Sequence, residues 1–67
     1  MDVQHRLAAN LRRLRHEQGL SQEAFAEEAG IHRTYISDLE RAARNPTIKL
    51  VETLAKALGV SASDLLS

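Results

Sequence analysis

One short segment concentrates side chains that can bind a polar surface. A helix over residues 33–42 is expected to bury Ile36, Leu39 and Ala43 on one side. The opposite side carries Arg33, Thr34, Ser37, Asp38 and Arg41. Arginine binds guanine O6 and N7, threonine offers its methyl group to thymine, and aspartate accepts from the cytosine amino group. The face therefore suits base edges in a major groove, and the alternative is an ordinary solvent-exposed helix face.

The elements that position this segment are helices, because apolar residues recur with helical spacing along almost the whole chain. The first helix covers about residues 3–18, between the cap Asp2 and the stop Gly19. Its apolar stripe consists of Val3, Leu7, Leu11 and Leu14. No alternating strand pattern is present.

Two short helices follow and meet at a glycine. Ser21 caps the second helix, which ends at Gly30. Its inward residues are Phe25, Ala26 and Ala29. The third helix ends before the loop at residues 43–46, because Asn45 precedes a proline and leaves helical geometry. Two helices joined by a turn with glycine indicate a helix-turn-helix over about residues 21–42.

The C-terminal part predicts a fourth helix and a last helical turn. Thr47 caps the fourth helix and Gly59 ends it. The stripe of this helix is Ile48, Val51, Leu54, Ala55 and Leu58. A capping box from Ser61 to Asp64 opens the last turn, which buries Leu65 or Leu66. We expect an all-α, compact five-helix bundle with a central helix-turn-helix, in one domain over residues 1–67.

Composition limits the function classes. Nine Lys and Arg balance nine Asp and Glu, so any basic surface is a local patch. The chain has no cysteine for a thiolate metal site. His16 and Glu17 begin a zinc-protease motif, but Leu20 stands where the second histidine is needed. We predict no catalytic residue, metal, cofactor, small-molecule ligand or membrane partner, and a cytoplasmic protein that is not an enzyme.

Several segments at fixed spacing resemble the Xre-like helix-turn-helix proteins, which include lambdoid phage repressors and Cro. They are GLSQE at 19–23, FA at 25–26, AGI at 29–31, YISDLER at 35–41, RNPT at 44–47 and LAKALGV at 54–60. Residues 32–41 resemble the controller proteins of restriction-modification systems in particular. The resemblance implies a sequence-specific transcriptional regulator that binds a palindromic operator of double-stranded DNA as a homodimer, with the third helix in the major groove.

The resemblance also implies roles for single residues. Arg33, Thr34 and Ser37 fall at base-facing positions, and Asp38 either does so too or orients Arg33 or Arg41. The positions implied at the DNA backbone are Ser21, Gln22, Tyr35, Arg41, Arg44 and Asn45. Such contacts position a duplex, whereas base contacts specify its sequence.

Two further sets of residues are implied within and between subunits. Arg15 and Glu40 match an ion pair between the first and third helices, and Arg15 lies beside the first apolar stripe, which favours this role over a DNA contact. Leu50 lies off the fourth helix's stripe, next to Ala57. With Leu66 they form the predicted dimer interface, since the family dimerises through its C-terminal half; a singly exposed leucine is the alternative.

Two positions depart from the family's pattern. Ala42 replaces the usual glycine, so the loop that carries Arg44 is open to a different closure. His32 replaces the usual Ser or Thr cap and is expected to cap the helix, bind a phosphate or remain solvated. The alternative function is a protein-interaction module without an operator of its own. Zero net charge and the acidic cluster Glu23, Glu27 and Glu28 favour it.

Overall fold

A computed structural model describes residues 1–67, and it contains five α-helices and no strand. They are α1 (Val3–Glu17), α2 (Gln22–Ala29), α3 (Arg33–Glu40), α4 (Ile48–Leu58) and α5 (Ala62–Leu66). The bundle measures 27 × 21 × 21 Å along its principal axes. None of the five helices has the length and hydrophobicity of a membrane-spanning segment. The all-α, five-helix architecture predicted from the sequence is therefore confirmed.

Polar caps begin four of the five helices, as their side chains predict. In each, a side-chain oxygen accepts the backbone N–H three residues later; the caps are Asp2, Ser21, Thr47 and Ser61. Such a cap stabilises a helix by about 1 kcal/mol. Helix α3 is the exception, because His32 occupies its N-cap position without a side-chain hydrogen bond. Of the alternatives predicted for His32, a side-chain cap is therefore not formed, and its exposed side chain agrees with solvation.

Helix α3 ends at Glu40, earlier than predicted, and the proline is not the cause. Ala42 has φ 56°, in the left-handed region. The N–H of Ala43 donates to the carbonyl of Asp38 at 2.8 Å, and the N–H of Ala42 donates to that of Leu39 at 3.1 Å. This is the Schellman ending, in which glycine is usual at the left-handed position. An alanine there costs about 1–2 kcal/mol.

One core receives side chains from all five helices. Its members are Leu7, Leu11, Phe25, Ala26, Ile36, Leu39, Val51, Leu54, Ala55, Leu58 and Leu65. Two residues predicted for buried stripes, Leu14 and Ala29, are half-buried and pack against this core. Three others are exposed: Val3 is 48% and Ile48 82% exposed, and Ala43 is also exposed. Side chains of a helix point toward its N-terminus, so those of the first residues, Val3 and Ile48, project past the core. Ala43 follows left-handed Ala42, where the chain leaves the direction of α3.

Candidate nucleic-acid interface

Helices α2 and α3 form a corner that fixes which side of α3 faces outward. Gly30 ends α2 in the left-handed conformation at φ 71°. The N–H of Ile31 then donates to the carbonyl of Ala26 at 2.9 Å, which closes the turn. Ile36 and Leu39 anchor α3, with 0% and 1% exposure. The opposite side of α3 therefore faces solvent.

The three base-facing residues of the sequence prediction lie on this outer side. Arg33 and Thr34 are exposed, and Ser37 is half-buried. Arg33 and Ser37 are one helical turn apart and thus share a face. The side chain of Arg33 forms no ion pair or hydrogen bond within the protein. Its five N–H donors are consequently available to an external acceptor.

Asp38 joins the end of α3 to the following loop. Its Oδ1 accepts a hydrogen bond from Arg41 Nη2, and its Oδ2 accepts one from Arg44 Nε at 3.1 Å. Hydrogen bonds from Arg44 and Arg41 lower the pKa of the Asp38 carboxyl. Among the predicted alternatives, Asp38 therefore pairs with Arg41, and also with Arg44, but not with Arg33.

Arg44 is held from three directions, although Ala42 replaces the usual glycine. Its guanidinium Cζ lies 4.5 Å from the centroid of the Tyr35 ring, a cation–π contact. Gln4 of α1 donates from Nε2 to the carbonyl oxygen of Arg44 at 2.7 Å. Together with the hydrogen bond to Asp38, these contacts place the loop that carries Arg44 (residues 43–46, here called the basic loop) beside the outer side of α3. Gln4 is a site residue that the sequence reasoning missed.

A buried ion pair ties α3 to α1 on its inner side. Arg15 Nε donates to Glu40 Oε2 at 2.7 Å, and Arg15 Nη2 donates to Glu40 Oε1 at 2.9 Å. The two side chains are only 8% and 4% exposed. Gln22 Nε2 donates to Glu40 Oε1 at 3.1 Å, and Arg15 Nη1 donates to the carbonyl of Leu20 at 2.8 Å. The structure thus brings Arg15, Glu40 and Gln22 together.

The electrostatics of this pair follow from its burial and its hydrogen bonds. Burial acts to raise the pKa of Glu40, but hydrogen bonds from Arg15 and Gln22 outweigh burial and lower it. The hydrogen bond to Glu40 raises the pKa of Arg15. Both groups are therefore charged near neutral pH and serve as a structural brace.

With this geometry in view, known proteins provide a direct comparison. A family model described as helix-turn-helix matches residues 11–65. The chain belongs to this helix-turn-helix family. It is 48% identical over 67 residues to control protein C.SmaI of Serratia marcescens, covering the whole chain and 80% of that protein.

Solved structures of relatives agree with the assignment. The hypothetical transcription factor NHTF from Neisseria superposes with a TM-score of 0.95 at 42% identity, over 98% of this chain and 76% of that one. SinR, a master regulator of biofilm formation solved in complex with DNA, gives 0.86 at 34% identity, over 91% and 98%. The predicted class of helix-turn-helix, DNA-binding transcriptional regulator is confirmed, as is the resemblance to controller proteins. The family agrees with the prediction that the chain is not an enzyme.

Other predicted contact residues of this helix-turn-helix regulator are less engaged within the protein. Asn45 is exposed in the basic loop. Ser21 is also exposed, and its hydroxyl oxygen accepts the N–H of Ala24 at 3.0 Å. Ser21 thus lies at the surface just before α2, and Asn45 lies at the surface in the loop after α3.

The three predicted dimer residues do not lie in one depression. Leu50, Ala57 and Leu66 are all half-buried and pack against the core. Leu66 lines a groove of about 190 Å³ with Val3, Pro46 and Ile48. Ala57 lines a different depression, together with Glu28 and Lys56. The groove around Leu66 also contains two exposed apolar residues, Val3 and Ile48, which the helical periodicity predicts for the core.

Proposed function

We propose that this regulator binds a palindromic operator as a homodimer, with α3 of each subunit in a major groove. The observation that supports this most is the outer side of α3, where Arg33 and Thr34 are exposed and Arg33 has no partner within the protein. Two such helices would enter successive major grooves about 34–36 Å apart. Because all five helices share a core, residues 1–67 would act as one domain.

Within this proposal, contacts divide between base edges and backbone. Arg33 reads a guanine, and Thr34 and Ser37 contact neighbouring base edges. The residues assigned to phosphates are Ser21, Gln22, Tyr35, Arg41, Arg44 and Asn45. Asp38 acts through the two arginines that it holds, rather than on a base. The regulator, encoded by a bacterium or a phage, would bind the nucleoid DNA in the cytoplasm.

The homodimer would cover apolar surface contributed by the C-terminal half. Leu66 supports this most directly, because it shares a groove with Ile48, which is 82% exposed. Single exposed leucines are common on monomers, but adjoining exposed apolar side chains are typical of an interface. Leu50 and Ala57 would extend the covered area on the other side of α4.

Selection of bound sites from random double-stranded DNA tests this function. We expect an inverted repeat whose half-sites lie one helical turn apart, about 10–10.5 base pairs. Arg33→Ala should lose about 1–3 kcal/mol of discrimination at one base position of each half-site, whereas Arg44→Ala should weaken all sequences alike. Lys49→Ala, an exposed charge outside the assigned contacts, is the control. An unchanged sequence preference in Arg33→Ala would remove the base-reading assignment.

A protein-interaction module is the second candidate, and one observation favours it. Glu23, Glu27 and Glu28 are all exposed on α2, in a molecule of zero formal net charge. Salt dependence separates the two functions. Affinity of a DNA binder falls steeply with rising salt, in proportion to the phosphates neutralised. An interaction module would show no appreciable binding to mixed-sequence DNA even at low salt.

A further inference from the structure

An open groove of about 550 Å³ runs between α1 and the C-terminal end of α3. Arg12, Arg13 and His16 line it from α1, and Arg41 lines it from the end of α3. Ala8 and Ala9 also line it, and their short side chains leave room between the longer basic ones. None of the contacts proposed above involves the α1 side of this groove.

The arginines of this groove are available to an outside anion. Arg12 is exposed and forms no ion pair or hydrogen bond within the protein. Arg13 pairs with Glu17 at 3.1 Å, but both side chains are more than half exposed, at 55% and 58%. The Arg41 side chain is 66% exposed. Exposed pairs of this kind exchange partners at little cost.

The only carboxylate that lines the groove, Glu40, lies close enough to interact with the charge of Arg12 but offsets the groove's positive charges only in part. Glu40 is 4% exposed, and its two oxygens already accept hydrogen bonds from Arg15 and Gln22. Its negative charge is balanced by Arg15, which does not line the groove. The groove is therefore a positive patch on a molecule whose formal net charge is zero.

His16 adds an imidazole donor to the groove. Its Nε2 lies 3.1 Å from Arg15 Nη2. Because a guanidinium only donates, this ring nitrogen accepts, and the ring hydrogen is assigned to Nδ1. The groove thus presents guanidinium donors and an imidazole N–H, which match the acceptor-only oxygens of a phosphodiester.

The groove is also continuous with the outer side of α3, which carries Arg33 and Ser37. Arg41 lines the groove and bonds to Asp38, while Asp38 bonds to Arg44 in the loop that follows α3. Arg33, Ser37 and Arg41 follow one another at i+4 spacing, so they run along one side of α3 and its C-cap. A duplex seated on this side therefore has a path into the groove past Arg41.

We propose that the α1–α3 groove binds the phosphodiester backbone of the duplex that α3 enters, through Arg12 with Arg13 and His16 beside it. This inference rests on the proposed function and extends its DNA contact from the helix-turn-helix onto α1. It gives the exposed Arg12 a role in DNA binding, in addition to its electrostatic interaction with the buried Glu40.

Salt titration of binding to a mixed-sequence duplex tests the groove without knowledge of the operator. One lost phosphate contact flattens the slope of log K against log salt by about 0.9, which corresponds to about fivefold weaker binding at 0.15 M salt. We expect this change in Arg12→Gln. Lys56→Gln is the matched control, because it removes one exposed positive charge from α4, outside the groove. We expect its slope to equal that of the wild type.

The outcomes separate this inference from the function on which it rests. Equal slopes for Arg12→Gln, Lys56→Gln and the wild type would overturn the groove contact, while binding of wild-type protein would leave the DNA-binding function standing. Failure of the wild type to bind any duplex at low salt would overturn both. A thermal melt of each variant verifies folding, and we expect little change because both side chains are exposed.

Discussion

Two arginine–carboxylate groups hold α3, and they differ mainly in exposure. On the inner side, the Arg15 and Glu40 side chains are 8% and 4% exposed. At the C-terminal end, Asp38, whose side chain is 17% exposed, binds Arg41 and Arg44, whose side chains are 66% and 49% exposed. Both groups pair guanidinium donors with a carboxylate: Glu40 accepts two hydrogen bonds from one arginine, and Asp38 accepts one from each of two. Exposure decides whether such a group is a fixed part of the fold or a set of charges that can change partners.

Free energies explain why burial separates the two roles. Removing one member of a buried pair strands an unsolvated charge and costs about 3–5 kcal/mol. An exposed pair contributes about 0–1 kcal/mol, because water and salt screen it. The Arg15–Glu40 pair therefore belongs to the fold, whereas Arg41 and Arg44 can leave Asp38 for a phosphate at little cost. Helix α3 is thus fixed on one side and adaptable at one end.

The largest effect that this comparison predicts is the loss of the buried carboxylate charge. Glu40→Gln keeps the shape of the side chain but leaves the Arg15 guanidinium buried without its counter-charge. We expect the free energy of unfolding to fall by about 3–5 kcal/mol in urea denaturation. Glu17→Gln applies the same change to the exposed Arg13–Glu17 pair and should cost less than about 1 kcal/mol. Equal costs for the two variants would contradict the distinction.

Acid should weaken the buried brace in a defined direction. Burial acts to raise the pKa of Glu40, yet the hydrogen bonds of Arg15 and Gln22 outweigh it and lower the pKa below 4.5. A carboxyl whose pKa is lower in the folded than in the unfolded protein stabilises the fold when it is ionised. This contribution is complete above the pKa of the unfolded state, and it disappears as the pH falls through the pKa of the folded state. We expect stability to decline below about pH 4.5, measured by urea denaturation across pH. Glu40→Gln should decline less, and an identical acid profile would refute the assignment.

The second group, Asp38 with Arg41 and Arg44, predicts a smaller effect, on DNA affinity rather than on stability. Asp38→Asn removes the charge that holds Arg41 and Arg44 and would otherwise compete with phosphates. We expect affinity for mixed-sequence DNA to rise by up to about fivefold at 0.15 M salt, because one negative charge that opposes the phosphate contacts of Arg41 and Arg44 is lost. Glu52→Gln removes an exposed negative charge on α4 and is the control for net charge. Weaker binding by Asp38→Asn would show instead that Asp38 must orient both arginines in the bound complex.

The sequence predicts those parts of the molecule that depend on short-range order. The caps Asp2, Ser21 and Thr47 and the glycine stops act within one turn, so residue type and spacing suffice to place them. The outer side of α3 is also predictable, because helical periodicity separates Arg33 and Ser37 from Ile36. Family resemblance supplied the Arg15–Glu40 pair, whose members are 25 residues apart in the chain.

What the sequence could not predict depends on tertiary contacts or on helix ends. The Gln4 side chain reaches the carbonyl of Arg44 across 40 residues, and no local pattern indicates such a contact. Periodicity placed Val3 and Ile48 on apolar stripes, but it carries no information on whether a neighbouring helix extends over the first turn. The predicted end of α3 is too late because a left-handed alanine is rare, so residue type alone does not mark Ala42 as the stop; the family's glycine at this position is the only signal for it.

The smallest effect concerns Ala42, the joint between the end of α3 and the loop that carries Arg44. At φ 56° an alanine carries a steric cost of about 1–2 kcal/mol, and glycine avoids this cost but loses about 0.5–1 kcal/mol in chain entropy. Ala42→Gly should therefore raise stability by about 0.5–1 kcal/mol, which a thermal melt would register as a rise of a few degrees in Tm. Ala43→Gly, at a residue whose φ is not positive, should lower stability instead.

Since Tyr35, Asp38 and Gln4 already hold Arg44, the Ala42→Gly variant should bind DNA as tightly as the wild type. Weaker binding despite a higher Tm would mean that the strained joint, rather than these three contacts, sets the position of the basic loop.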